Sequence, residues 1–121
     1  MRFYEVRMVK KDLPYIKHIL DSIEKIQRVM KGVSYEQFND NEDLRELVIR
    51  RIEVIGEATK NISDYLKNIY LNVEWKKIAG TRDVLIHAYF NVDNDTIWEI
   101  VRDNLPTLKK QILVIKRDLE K

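Results

Sequence analysis

Residues 98–119 read WEIVRDNLPTLKKQILVIKRDL. Apolar side chains recur here in alternating steps of three and four, a seven-residue repeat held for three heptads. The repeat consists of Trp98, Val101, Leu105, Leu108, Ile112, Ile115 and Leu119. This pattern predicts a long amphipathic helix, with a kink at Pro106 because proline lacks a backbone N–H. The apolar seam of this helix could face the same chain or a second copy of it.

Two more apolar stripes with helical spacing lie in the N-terminal half of the chain. The first runs from a candidate N-cap at Asp12 to a stop at Gly32, and the second begins near Asn41. Gly56 lies inside the second stripe, where it costs about 1 kcal/mol relative to alanine. Close approach of a neighbouring backbone would explain this glycine. Glu57 is either a hydrogen-bonding partner of another helix or an ordinary surface glutamate.

Shorter sequence patterns predict the remaining helices. Ser34 and Gln37 are spaced as a capping box for one short turn, and residues 65–70 are expected to form a short extra helix. Residues 75–86 are predicted to form a third main helix that is interrupted or tightened near Gly80. The sum is an all-α protein, an antiparallel four-helix-type bundle with a short extra helix.

Composition limits the classes of function that need to be considered. The chain has 121 residues, which predicts a single domain over 1–121, with residues 1–11 as an extension of unknown state. The chain has 22 basic and 20 acidic residues, and this excess of positive charge is too small to indicate nucleic-acid binding by itself. The chain has no cysteine and no apolar run long enough for a membrane span. We therefore expect a cytoplasmic protein without thiolate chemistry.

The residues most capable of chemistry lie in the stretch GTRDVLIHAYF, residues 80–90. Asp83 and His87 are four positions apart, so on a shared helix they lie on the same face. A carboxylate beside an imidazole favours the charged form and raises the pKa of the histidine. Such a histidine could transfer protons near neutral pH.

Arg82 and His87 are five positions apart, which places them roughly 140° apart around an ideal helix. They would converge if the helix ended or tightened between them, if the arginine wrapped back, or if two copies of the motif met across a dimer. An arginine that binds phosphate oxygens and a histidine that moves protons suit metal-free phosphodiester cleavage. The ordinary alternative is a surface ion pair for Arg82 and a structural role for His87 at a helix C-terminus.

The motif in residues 82–89 resembles the R-x4-H-x-Y motif of the HEPN superfamily, in particular small toxins paired with a minimal nucleotidyltransferase antitoxin. Residues 15–26, 51–58 and 75–80 also resemble the corresponding helices of that family. The resemblance covers roughly residues 12–110. It implies an all-α bundle that forms a homodimer and a metal-independent endoribonuclease that uses no cofactor.

The resemblance also implies a role for each matching residue. Arg82 would hold the RNA phosphate, His87 would act as acid and base, and Asp83 would orient or tune the site. Tyr89 matches the tyrosine that the antitoxin adenylylates to silence the toxin. The rival hypothesis is a non-catalytic nucleotide-binding or adaptor subunit that partners a minimal nucleotidyltransferase.

Three polar residues outside the motif have both a functional and an ordinary interpretation. Lys76 and Lys77 precede the motif and are candidates for contact with the RNA backbone, although a solvated face is the more common role of such lysines. His18 lies two positions from the apolar stripe of the first helix, where a place at the edge of the packing is expected. No metal ligand set is predicted.

Overall fold

The computed structural model describes residues 9–87 and 93–121, and these residues contain helices and no strand. The helices are α1 (Leu13–Met30), α2 (Tyr35–Asp40), α3 (Glu42–Lys60), α4 (Asp64–Ile69), α5 (Trp75–His87), α6 (Asn94–Glu99) and α7 (Leu105–Leu119). A 3-10 turn, Lys10–Asp12, precedes α1, and a π-helical segment, Ile100–Asn104, joins α6 to α7. The predicted all-α bundle is confirmed. Most of the predicted N-terminal extension lies outside the described residues.

The core lies where the long helices meet. Helix α1 packs against α3 and α7, and α3 packs against α5. The heptad positions of residues 98–119 are buried except for the partly buried Trp98, so this seam faces the chain's own core. Helix α1 contributes a row of side chains that are at most 1% exposed: Ile16, Ile19, Ile23 and Ile26. No helix among the described residues is long and apolar enough to cross a membrane.

The heptad stretch is not one continuous α-helix, because it contains a π-helical segment. Helix α6 passes into the π-helical segment, where the Leu105 N–H donates to the Ile100 carbonyl five residues earlier. Pro106 is the second residue of α7, directly after this segment. The change in helix type therefore begins at Ile100, before the proline.

Capping at the start of α1 differs from the prediction, while capping elsewhere agrees with it. The Asp12 side chain makes no capping bond to α1. Its carboxylate, 1% exposed, accepts from the Ser63 backbone N–H at 2.9 Å and from Ser63 Oγ at 2.6 Å. Asp12 thus joins the start of α1 to the start of α4, where Ser63 is the N-cap. The predicted capping box of Ser34 and Gln37 is confirmed.

Candidate functional site on α3 and α5

Helix α5 carries residues 80–87 of the stretch singled out in the sequence. The predicted interruption near Gly80 is wrong, because α5 is α-helical without a break from Trp75 to His87. The helix therefore does not tighten between Arg82 and His87. Of the three ways to bring these residues together, a wrapped arginine and two copies of the motif across a dimer remain.

Gly56 permits α5 to approach α3 closely. A Cβ atom built on Gly56 would lie 2.5 Å from Arg82 Cβ and 3.3 Å from the Ile78 carbonyl oxygen. Non-bonded carbon atoms do not approach each other that closely, so any larger residue would push the two helices apart. The close approach suggested by the sequence is confirmed, and its partner is the backbone around Arg82.

Two acidic side chains hold the guanidinium of Arg82. Its Nε lies 3.0 Å from Glu57 Oε2 on α3, and its Nη1 lies 3.5 Å from Asp83 Oδ1. The Arg82 side chain is 32% exposed, so it is held by these partners and still accessible from solvent. Because a guanidinium carries five N–H donors in a planar fork, an arginine anchored at Nε can still present other N–H groups to an anion.

Asp83 also connects α5 to α3. Lys60 Nζ donates to Asp83 Oδ1 at 2.7 Å. This hydrogen bond lowers the pKa of the Asp83 carboxyl below its ordinary value, and the charges of Lys60 and Arg82 act in the same direction against partial desolvation. Glu57, Arg82, Asp83 and Lys60 therefore form a chain of alternating charges across the α3–α5 seam. We call this set the seam network.

The seam has an open groove on each side. The groove on the Arg82 side lies between α1, α3 and α5. The other groove lies between α3, α5 and the region of residues 100–111, and Lys77 is among its lining residues. Lys76 and Lys77 are exposed in the first turns of α5, and Lys77 Nζ lies 3.5 Å from Glu74 Oε2. Lys77 and Arg82 thus line different grooves.

Two of the sequence-predicted site residues cannot be placed by their side chains. His87 is the last described residue of α5, and only its backbone is described. Tyr89 lies outside the described residues. The expected contact between Asp83 and His87 therefore stays a prediction, and the described partners of Asp83 are Lys60 and Arg82.

Sequence reasoning missed Lys60 and left Glu57 undecided. Lys60 lies four positions after Gly56 and therefore on the same face of α3, whereas Glu57 lies one position after it, about 100° around the helix. A glycine that permits a close helix contact identifies the face that meets the neighbouring helix. Residues three or four positions from that glycine lie on the same face. The four-residue spacing of Gly56 and Lys60 was therefore the available sign that Lys60 meets α5, but it could not identify the residues of α5 that Lys60 contacts.

These features define a class of protein: an all-α bundle with an accessible, anchored arginine in a charged seam between two packed helices. Its motif helix carries a histidine five positions after that arginine. The chain belongs to the ribonuclease HepT-like family, whose model matches residues 19–115.

Several proteins are similar to this chain over most of its length. One is a "Gamma-glutamylcyclotransferase and putative RNase" of Methanocaldococcus jannaschii, 42% identical over 114 residues, which are 93% of this chain and 51% of that protein. The chain thus spans about half the length of that relative.

Two shorter relatives match over most of their own length. A "Putative RNase" of Caldanaerobacter subterraneus subsp. tengcongensis is 40% identical, covering 86% of this chain and 93% of the relative. A "Probable ribonuclease HepT" of Thermococcus cleftensis is 38% identical, covering 78% of this chain and 86% of the relative. No solved structure matches the chain.

Proposed function

We propose that this protein is a metal-independent endoribonuclease and the toxin of a HEPN and minimal nucleotidyltransferase toxin–antitoxin pair. Arg82 binds the scissile phosphate, His87 transfers protons, and Asp83 orients the arginine. Membership of the ribonuclease HepT-like family and the names of its relatives support the reaction class. The toxin role and the control by an antitoxin rest on the resemblance of the motif in residues 82–89.

The observation that carries the proposal is the placement of Arg82. Its guanidinium is anchored at Nε by Glu57 and remains 32% exposed, next to a groove of about 320 Å³. An exposed arginine without a partner would have to lose side-chain freedom on binding a phosphate. An anchored one has lost much of that freedom on folding, which favours it as an anion-binding group.

The proposed chemistry uses the RNA's own nucleophile. A base removes the proton from a 2′-hydroxyl, and the resulting oxygen attacks the adjacent phosphorus. The bond from phosphorus to the 5′-oxygen breaks, an acid protonates that oxygen, and a 2′,3′-cyclic phosphate remains. Arg82 neutralises the charge that develops on the phosphoryl oxygens.

A homodimer would supply both proton-transferring groups. Arg82 and His87 are five positions apart on an unbroken α-helix, so their backbone positions lie about 140° apart around it. Two copies of α5 facing each other would place the arginine of one beside the histidine of the other. One His87 then acts as base while the second acts as acid.

The test is cleavage of a structured RNA by partner-free protein in EDTA, with His87→Ala as the matched variant. We expect cleavage by the wild type alone, with 2′,3′-cyclic phosphate ends. Intact RNA after incubation with wild-type protein, whose Tyr89 is shown by mass spectrometry to be unmodified, would overturn the proposal in favour of an adaptor subunit. Cleavage only after magnesium is added would overturn metal independence.

Control by an antitoxin is tested separately. A minimal nucleotidyltransferase encoded beside this protein should, with ATP, add the mass of an adenylyl group to wild-type protein and leave Tyr89→Phe unmodified. RNA cleavage should fall with modification of the wild type and persist in the variant. Equal modification of both proteins would exclude Tyr89 as the acceptor.

A further inference from the structure

The groove on the Arg82 side extends well beyond the arginine. Along α3 it runs from Arg50 to Asn61, about 16 Å at the rise of an α-helix. Its opposite wall is α1, which contributes Tyr15 and His18. Its volume of about 320 Å³ lies at the lower end of the range of small-ligand sites. We call this feature the α1–α3 groove.

The α1 wall presents two rings to this groove. Tyr15 and His18 are three positions apart on α1, so they are neighbours on one helix face. Both side chains are exposed, and Tyr15 is 37% exposed. Exposed rings along a groove are the surfaces on which single-stranded RNA stacks its bases.

Each arginine that lines the groove is paired with a glutamate of α3. Arg50 Nη1 lies 3.8 Å from Glu53 Oε2, as Arg82 is paired with Glu57. The Arg50 side chain is 74% exposed and the Glu53 side chain 18%, so the cation is the accessible member of that pair. The groove therefore offers two arginines at its surface without a strong net field, and stacking must supply much of the affinity for RNA.

We propose that the α1–α3 groove binds a nucleotide of single-stranded RNA next to the phosphate held by Arg82. The base stacks on Tyr15, and the neighbouring phosphate lies at Arg50 and His18. This inference rests on the proposed function, since it takes Arg82 as the phosphate-binding residue. It adds a subsite that the motif in residues 82–89 does not contain, formed by the first and third helices.

The experiment measures RNA binding and not cleavage. All proteins carry His87→Ala, so that a fluorescein-labelled single-stranded oligoribonucleotide stays intact during an anisotropy titration. Tyr15→Phe keeps a ring and Tyr15→Leu removes it, which separates stacking from general apolar contact. Arg50→Gln is compared with Arg117→Gln, an exposed arginine on α7 that changes the net charge equally.

We expect Tyr15→Leu to weaken RNA binding about tenfold or more, and Tyr15→Phe to bind like its parent. Arg50→Gln should reduce the slope of log affinity against log salt by about 0.7, the value for one phosphate contact on a single strand, while Arg117→Gln leaves it unchanged.

Parental affinity in Tyr15→Leu, or equal salt slopes for both arginine variants, would overturn the subsite while leaving the ribonuclease proposal standing. Absence of RNA cleavage by the wild type, with the Tyr15 effect on binding intact, would overturn the ribonuclease and keep the groove as an RNA-binding site. If the Tyr15 variants change the sedimentation coefficient and not RNA affinity, the groove is a protein interface and the inference is wrong.

Discussion

The α1–α7 contact and the α3–α5 contact follow different rules within one bundle. Helices α1 and α7 meet through periodic aliphatic side chains that are almost fully buried. Helices α3 and α5 meet at a glycine, with an alternating chain of charged residues at the surface of the seam. The first contact stabilises the bundle, whereas the second positions charged groups. Of the family motif, Arg82 and Asp83 lie at the second contact.

The largest effect on the free energy of unfolding is expected from a substitution in the α1–α7 contact. Ile112→Ala should lower the free energy of unfolding by about 2–5 kcal/mol, because it leaves a cavity at a side chain with no exposed surface. Its neighbour Leu113 is 44% exposed, so Leu113→Ala should change that free energy by only about 0.5 kcal/mol. Urea denaturation of both variants measures the difference. Equal losses would show that the heptad seam does not carry the core.

The second-largest effect on stability is expected from a substitution that disrupts the α3–α5 contact. Gly56→Ala should destabilise the protein by about 1–3 kcal/mol despite the better helix propensity of alanine, because its Cβ would overlap Arg82 Cβ. Gly80→Ala is the matched control, since a Cβ there has no neighbour within 4 Å. It should stabilise the protein by about 0.5–1 kcal/mol. Thermal melts that shift in the same direction for both glycines would contradict the close approach.

The third effect separates stability from function. Glu57→Gln should change the free energy of unfolding by no more than about 1 kcal/mol, because its ion pair with Arg82 is partly exposed. RNA cleavage should nevertheless fall by about tenfold to a hundredfold through kcat, since the guanidinium loses its anchor. Glu57→Asp should restore part of the rate.

The control for that anchor is Glu120→Gln, which breaks a similar ion pair, 2.7 Å from Lys116, away from the seam. It should alter neither stability nor cleavage appreciably. A loss of cleavage in Glu120→Gln as large as that in Glu57→Gln would show that the effect is not specific to Arg82.

The smallest effect is the pH dependence of the seam network. Lys60 lowers the pKa of the folded-state Asp83 carboxyl, so the ionised carboxylate favours the folded state. That contribution is complete above the unfolded-state pKa of about 3.9 and is lost as the pH falls through the lower folded-state value. Wild type and Asp83→Asn should therefore differ in stability at neutral pH and converge in acid. A difference that grows on acidification would contradict the sign.

Periodicity and capping could be read from the sequence because they depend on neighbours along the chain. The heptad of residues 98–119 identified a buried seam, and Ser34 with Gln37 identified a capping box. The π-helical segment before Pro106 was missed, because the apolar spacing of three and four does not distinguish a π turn from an α turn at one place in a helix.

Contacts between residues that are far apart in the sequence could not be predicted. The pairing of Asp12 with Ser63 spans 51 residues, and that of Lys60 with Asp83 spans 23. Which charged residues meet depends on the rotation of each helix about its axis, and the sequence of one helix does not fix the rotation of its neighbour. Gly56 was informative because only a steric contact explains a glycine there.

The most direct test compares the partly buried Arg82 with the exposed Arg117 by the rate of RNA cleavage in EDTA. Arg82→Ala should reduce the rate at least about a hundredfold, as expected when a group that stabilises transition-state charge is removed. Arg117→Ala should cleave at the wild-type rate, and both variants should retain the helical circular dichroism of the wild type. Arg82→Ala protein that folds and cleaves RNA as fast as Arg117→Ala would contradict the assignment of the site to the α3–α5 seam.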